Sequence, residues 1–478
     1  MTRRHIKYGL LSAFAALLVT VGGVGWHHAN KALPAGLDFS GELRAAHHVK
    51  FLADVTYVDD SGERHTEQTI FDEIFGLIDA AEHFLLLDMF LFNSFQGAEP
   101  ETHRALSSEL TDRLLARREA QPDMQIVVIT DPINTLYGSL ESGIFNRLEA
   151  ANIDVVITHL PALRDSNPAF SALWRTFIAP WGVGPGDTFG NPIGAGRISA
   201  RSYLSLINFK ANHRKLMIAD NGDLYVAVVT SANPHDASSA HGNVALRFTG
   251  PAVADLLATE RAVLAFSGGP DLNVAIPTDA EPSDERLQVL TEQAIKQAWL
   301  ATVARTRRDD LVDVAAFYLA DRDIVAALIA AQERGVTLRV LLDPAKDSFG
   351  REKNGIPNRQ TALALHAAGV PVRWCATHGE QCHSKFLQVR YANGDSVLLL
   401  GSANLTRRNL DNYNLETNVL LEGTTGSRAM RDSVRWFDRY WHQLPGQHLS
   451  TEYATYADED RWRQALYWLM ERWGLSTF

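Results

Sequence analysis

The strongest pattern at the start of the chain is an uncharged run from Tyr8 to Trp26, with LLSAFAALLVTVGGVG between two aromatic ends. About 20 apolar residues suffice to cross a bilayer as a helix, and this run reaches that length. Beyond it, short and almost continuously apolar segments alternate with segments whose apolar residues recur every three or four positions. The first set reads as helix TIFDEIFGLIDAAEHF, strand FLLLDMFLF, helix ELTDRLLARREA, strand MQIVVITDP, helix FNRLEAA and strand IDVVITHL. The second reads as helix TEQAIKQAWLATVA, strand LVDVAAFYL, helix DIVAALIAAQERG, strand TLRVLLDP, helix TALALHAAG and strand VPVRWCA. Strands of this kind are buried on both faces and need helices to cover them, so the pattern predicts an α/β fold.

The two sets are copies of one unit. ITDPINTLYG answers LLDPAKDSFG, and AANIDVVITH answers AAGVPVRWCA. Between them GGPDLNVAIPTDAEPSDE, rich in Pro, Gly and Asp, reads as a linker. The expected organisation is an anchor or export signal over 1–35, a first α/β domain over 40–275, a second over 276–445 and a helical tail over 446–478. A length of 478 residues agrees with two cores. In the tail, RWRQALYWLMERWGL has an amphipathic pattern, and docking against the body is its expected use, with membrane contact the alternative.

Charge changes the picture in two places. The net charge is −11 and no Lys/Arg run is present, which argues against a nucleic-acid partner held by its backbone. At the N-terminus, Arg3, Arg4 and Lys7 precede the apolar run and only Lys31 follows closely. The positive-inside rule then places the N-terminus in the cytoplasm and the body on the other side, periplasmic or extracellular. A cleaved signal peptide and a twin-Arg export signal, suggested by TRRHIK, are the alternatives. Cys375 and Cys382, in WCATHGEQCHSK, can close a disulfide outside the cytoplasm. Two free thiols, or a zinc site with His378, are other readings, although the spacing matches no standard finger.

The chemistry concentrates where each copy ends. The first has HRKLMIAD, with His213, Lys215 and Asp220; the second has HSKFLQVR, with His383, Lys385 and, where an Asp would answer, Arg390. Ser231 and Asn233 follow in VVTSANP, and Ser402 and Asn404 in LLLGSANLT, the serines 18 and 19 residues past their histidines. Asn243-Val-Ala245 and Asn414-Leu-Glu416 come next. On a strand, His and Lys two apart share a face. Paired copies would converge two imidazoles, two ammonium groups, two amides and two hydroxyls on one pocket, a set suited to a phosphate and its transition state. One histidine can attack phosphorus while the other protonates the leaving oxygen and then activates water or an alcohol. That scheme needs no cofactor and no metal.

The paired HxK…SxN…NxE elements resemble the phospholipase D superfamily, over roughly residues 45–445. The resemblance implies two tandem α/β/α sandwich domains in pseudo-twofold arrangement, which would follow the transmembrane helix read from the apolar run. It implies a covalent phosphohistidine on His213, with His383 as general acid and then base. Lys215, Lys385, Asn233 and Asn404 would bind phosphate, with Ser231 and Ser402 supporting, and Asp220 would complete the first motif. Glu416 is expected to orient one of the histidines by its far nitrogen, the better-held one being the nucleophile; which one it reaches is not legible. Two positions depart from the family pattern: Arg390 in place of the second Asp, and Ala245 in place of a first-copy carboxylate.

Other groups have plainer readings. His159, His235 and His366 read as surface or satisfied core residues, Asp88 as a structural hydrogen-bond acceptor, and His241 as a neighbour of the site. The glycines of PWGVGPGDTFGNPIGAG lack the strand-to-helix context of a dinucleotide loop. They belong to an insertion over about 160–212 that the second copy lacks, in which Trp174, Phe177, Trp181 and Phe189 form a candidate lipid-facing rim. Three functions compete: a phospholipase D or cardiolipin synthase-like lipid enzyme, an exported nuclease or soluble-diester phosphodiesterase, and a weakly active phosphate-binding membrane scaffold. The first is expected, with phospholipid as substrate and water or an alcohol as acceptor.

Overall fold

The alternation of buried strands and covering helices is the architecture of the protein, seen in a computed structural model that describes residues 3–97, 102–184, 186–279, 281–347 and 353–473. It opens with α1 (Arg3–Asn30), one helix long and apolar enough to cross a membrane. The first half runs β1 (Arg44–Ala45), β2 (His47–Val58), β3 (Arg64–Glu67), α2 (Ile70–Ala80), β4 (Phe84–Met89), α3 (Leu106–Ala120), β5 (Gln125–Thr130), α4 (Gly143–Ala150) and β6 (Asp154–Ile157). The insertion contains α5 (Pro168–Phe177), the short strands β7 (Phe189–Gly190) and β8 (Arg197–Ile198), and α6 (Ala200–Leu206). Then come β9 (Lys215–Asn221), β10 (Leu224–Thr230), β11 (Asn243–Thr249) and α7 (Ala252–Ser267).

The second half has β12 (Arg286–Thr291), α8 (Gln293–Ala304), β13 (Leu311–Ala316), α9 (Arg322–Glu333), β14 (Thr337–Leu342), α10 (Asn358–Ala367) and β15 (Val372–Cys375). It continues with β16 (Lys385–Arg390), β17 (Asp395–Gly401), α11 (Arg407–Leu410), β18 (Thr417–Thr424) and α12 (Arg428–His442). The tail begins with an edge strand, β19 (Ser450–Glu452), and becomes helical only at α13 (Arg461–Trp473). Its last residues, 474–478, lie outside the described residues.

Two sheets result, ordered β3-β2-β11-β10-β9-β4-β5-β6 and β1-β12-β18-β17-β16-β13-β14-β15-β19. Seven successive strands of each correspond one to one, β2 with β12 through to β6 with β15, which is the repeat expressed as topology. Strand alternation then divides the core. In β9, Leu216 and Ile218 face a cluster shared by both sheets together with α7 and α12, while Met217 and Ala219 face α2, α3 and α4. The second sheet is covered on its outer face by α8, α9 and α10. The halves therefore share their central core, and the carboxyl ends of β4 and β13 meet the starts of β9 and β16 at one common edge.

Cys375 and Cys382 form a disulfide, with Cα atoms 6.2 Å apart, which replaces both the free-thiol and the zinc readings. It ties the end of β15 to the residue before His383.

Candidate active site

Each histidine stands just ahead of the strand that carries its lysine, and the two environments repeat around the pseudo-twofold axis. His213 N–H donates to Leu415 O at 2.9 Å, and His383 N–H to Gly242 O at 2.7 Å, so each is held by the opposite half. The residue ahead of each is pinned by the Asp of the repeated DP motif: Asn212 N–H donates to Asp131 at 2.7 Å and Cys382 N–H to Asp343 at 2.8 Å. A phenylalanine lies against each imidazole, Phe90 on His213 at 4.8 Å and Phe317 on His383 at 4.9 Å between centroids. The same rings carry the lysines, with Lys215 Nζ 5.0 Å from the Phe90 centroid and Lys385 Nζ 5.2 Å from that of Phe317. Each ammonium donates to the carbonyl of its own histidine, at 2.6 and 2.5 Å. His213, His383, Asn233 and Asn404 line one cavity of about 470 Å³.

The symmetry breaks at the far nitrogens. His213 Nδ1 lies 2.9 and 3.0 Å from the two Glu416 oxygens. His383 Nδ1 lies 3.1 Å from Asn243 Oδ1. The position answering Glu416 is therefore Asn243 and not Ala245, which is buried under the outer helices. Register proves the equivalence: Ser231 N–H donates to Val244 O and Ser402 N–H to Thr417 O, so the residues before these two are partners in the repeat. Either carboxylate or amide oxygen accepts from Nδ1–H, which leaves Nε2 with its lone pair in both rings.

Several expected site residues sit elsewhere. Ser231 and Ser402 do not face the cavity: their hydroxyls donate to Asn243 Oδ1 at 3.0 Å and to Glu416 Oε2, and they accept from Val244 and Thr417 N–H. They support the buttresses rather than a phosphate. Asp220 lies at the opposite end of β9, where it accepts from the N–H groups of Glu82, His83 and Phe84 and so closes the turn into β4. It is a structural residue, because six residues of strand separate it from the site. Arg390 occupies the corresponding end of β16 and pairs with buried Asp313 at 3.0 Å, replacing a turn clamp by a sheet ion pair. Asn233 accepts Leu91 N–H on Oδ1 at 3.2 Å, so its Nδ2 is the end that can donate into the cavity.

Residues that sequence reasoning missed include Phe90, Phe317, Asn243 and Asn409. Asn409 donates to the second oxygen of Glu416, so that carboxylate is held by His213, Ser402 and Asn409 together. Behind His213, wholly buried Arg214 donates to Glu260 at 2.7 Å and to Glu292 at 2.8 Å, and the same Glu292 oxygen accepts Glu416 N–H at 3.1 Å. The first-half histidine strand and the second-half carboxylate are thereby fixed to one charged core, where loss of one partner costs ~3–5 kcal/mol. Both oxygens of buried Asp88 accept from Asn212 Nδ2, and its carboxyl also pairs with Glu260. His241 lies 5.9 Å from His383 and accepts Gln381 N–H on Nδ1.

Burial sets the proton balance. It depresses His213 to about 4, against the opposing pull of Glu416, and pushes Lys215 down to about 7. Burial also holds His383 and Lys385 well below their ordinary values, helped by repulsion from Lys385 on the first and Lys215 on the second. Burial opposes ionisation of Glu416, yet His213, Lys215 and Ser402 keep it below the usual carboxylate range. Both imidazoles are thus neutral at pH 7. An anion that enters raises the pKa of every cation it touches, so binding should take up protons near neutrality. Calorimetric titration with tungstate at pH 7.5, in buffers of different ionisation enthalpy, should read about one proton taken up. Zero uptake would mean that both lysines are already charged in the empty cavity.

Residues 302–441 match the family described as "Cardiolipin synthase, PLD-like domain". No curated protein matches the chain. Among solved structures, the phosphatidylserine synthase of Haemophilus influenzae Rd KW20 is similar with a TM-score of 0.56 at 9% identity, covering 95% of this chain and 97% of that one. A polyphosphate kinase from Porphyromonas gingivalis gives 0.45 at 12% identity, over 90% of this chain and 53% of that one. The phospholipase D family member Nuc from Salmonella typhimurium gives 0.28 at 18% identity, over 34% of this chain and 97% of that one. The family match thus spans the second histidine motif, and the fold is shared with the synthase along nearly the whole length of both chains.

Proposed function

We propose that this chain is a membrane-anchored phosphodiester-cleaving enzyme that acts on phospholipids through a phosphohistidine on His213. The observation that carries this reading is the inequality of the two buttresses, Glu416 behind His213 and Asn243 behind His383. Attack by His213 Nε2 on phosphorus leaves a positively charged phospho-imidazole, which a carboxylate at Nδ1 stabilises and an amide does not. His383, once substrate charge has raised its pKa, gives its proton to the leaving oxygen. The neutral ring then takes a proton from water or an alcohol, which attacks phosphorus and releases His213. Lys215, Lys385, Asn233 and Asn404 surround the non-bridging oxygens.

A lipid substrate is favoured by what else lines the cavity. Phe90, Leu91, Ile133, Ile193, Leu206 and Phe209 offer an apolar wall next to the histidines. The net charge of −11 and the apolar α1 fit a bilayer better than a polynucleotide. Positive charge in the first turns of α1 and the disulfide beside His383 both favour a body on the non-cytoplasmic side.

Purified protein and His213→Ala, incubated with phosphatidylglycerol vesicles in EDTA, test the reading. Phosphatidic acid or cardiolipin from the wild type alone is expected, and the product tells whether water or an alcohol accepts the group. Cleavage of nucleic acid or a soluble diester with none of lipid would favour the phosphodiesterase reading, and silence on all of them the scaffold.

A further inference from the structure

α1 is 28 residues long, about 42 Å of helix, against a hydrocarbon core of about 30 Å. Its last turns therefore stand at the membrane surface, and there they meet the insertion. Gly25 packs on Ala172 and Pro168 of α5, and His28 O accepts Asp165 N–H at 3.0 Å. With its inner face against α1, α5 turns Ala169, Leu173 and Phe177 outward, an apolar stripe at i, i+4 and i+8 where a helix on a soluble surface carries charge. Trp181 follows α5 at 74% exposure, and Trp26 near the end of α1 is 72% exposed. Tryptophan at the end of a span is the composition of a membrane interface.

A second element has the same inverted character. α13 packs Leu466, Tyr467 and Met470 onto Phe317 and Tyr318, which wall the cavity, and Tyr467 donates to Ala320 O at 3.0 Å. Its outer face presents Trp462, Trp468 and Leu469 to solvent. The end of the insertion and α13 both approach the cavity at Arg408, one of its lining residues, which donates to Phe209 O and feels the charge of Glu471 on α13.

We propose that α5 with Trp181 on one flank, and α13 on the other, form a rim that sits in the surface of the bilayer α1 crosses and holds the cavity mouth against it. The occupant is a lipid bilayer, argued from the continuity of this face with the spanning helix. The proposal deepens the lipid reading above without depending on its chemistry. A rim of this kind lets a phospholipid pass from bilayer to cavity without exposing its chains to water.

The native cysteines are disulfide-bonded, so a cysteine introduced in the full-length chain is the labelling site. Trp181→Cys, Trp468→Cys and, at an exposed position of α3, Glu119→Cys would each carry an NBD fluorophore after reconstitution in phosphatidylcholine–phosphatidylglycerol vesicles. Lipids with a spin label at acyl carbon 5 should quench positions 181 and 468 at least twofold and leave 119 unchanged. Quenching at 181 and 468 no greater than at 119 overturns the rim, whatever the enzyme does. As a second reading, Leu173→Ser, Phe177→Ser and Trp181→Ser combined should lower turnover of vesicular phosphatidylglycerol at least tenfold and spare bis(p-nitrophenyl) phosphate. Equal loss on both substrates would also overturn it.

Discussion

His383→Ala given bis(p-nitrophenyl) phosphate should release about one equivalent of p-nitrophenol in a burst and then stall, with the phosphoryl group left on His213. The nitrophenolate is stable enough to leave without a proton, so the first step does not need His383. The second step does, because water attacking the phospho-imidazole must lose a proton and Asn243, the group behind His383, cannot accept one. General acid–base help of this kind is worth roughly 10²–10⁴-fold, and steady-state turnover should fall by about that factor. With a lipid, whose leaving alcohol does require a proton, the same variant should lose the burst as well. His213→Ala should show neither burst nor adduct on either substrate. Rapid quenching and peptide mass analysis locate the phosphoryl group; finding it on His383 in the wild type would reverse the assigned roles.

Much of the fold was open to view in the sequence because both halves obey one pattern. Strands such as MQIVVITDP and TLRVLLDP are buried on both faces, and only helices on both sides can cover them. The two HxK elements were visible for the same reason, since each had to begin a central strand at the common edge. What the sequence hid was register. The loop from Ser231 to its buttress at Asn243 is two residues shorter than that from Ser402 to Glu416, so matching NVA with NLE put Glu416 opposite Ala245. A hydrogen-bonded ladder, not a string match, decides which side chain reaches the imidazole. Ser231 and Ser402 were misplaced by a related cause: following a strand, they turn toward the neighbouring backbone, where N–H groups of Val244 and Thr417 need acceptors. Asp220 shows the opposite lesson, a motif residue whose strand carries it away from the chemistry to a turn with three N–H groups to satisfy.

The core behind the site explains why the halves do not act separately. Arg214 alternates away from the cavity between His213 and Lys215, and its two carboxylates come from α7 and from Glu292 at the start of α8. Glu292 also holds Glu416 N–H, so any shift of one half against the other disturbs His213 and its buttress at once. Two half-sites that each anchor the other's histidine through Leu415 O and Gly242 O make one rigid centre.

The second large effect belongs to Glu416 and Asn243. Glu416→Gln should lower kcat about 10²–10³-fold while leaving the protein folded, since the volume is unchanged, an amide oxygen in the Oε1 place still accepts from Asn409, and the amide nitrogen in the Oε2 place can donate to the Ser402 hydroxyl. The loss is in charge and not in the acid limb. Glu416 raises the pKa of His213 against burial, so its removal drives His213 further below about 4 and the imidazole stays neutral across the working range. What disappears is the anion that stabilises the phospho-imidazolium. Asn243→Asp makes the complementary test. A carboxylate at His383 Nδ1 raises the pKa of that ring, which makes it a readier acid in the first step and a poorer base in the second. The adduct on His213 should then build up to a larger share of enzyme than in the wild type, with hydrolysis slower than its formation. A Glu416→Gln variant within threefold of wild-type kcat, or an Asn243→Asp variant with no extra adduct, would show that the unequal buttresses do not divide the labour of the two histidines.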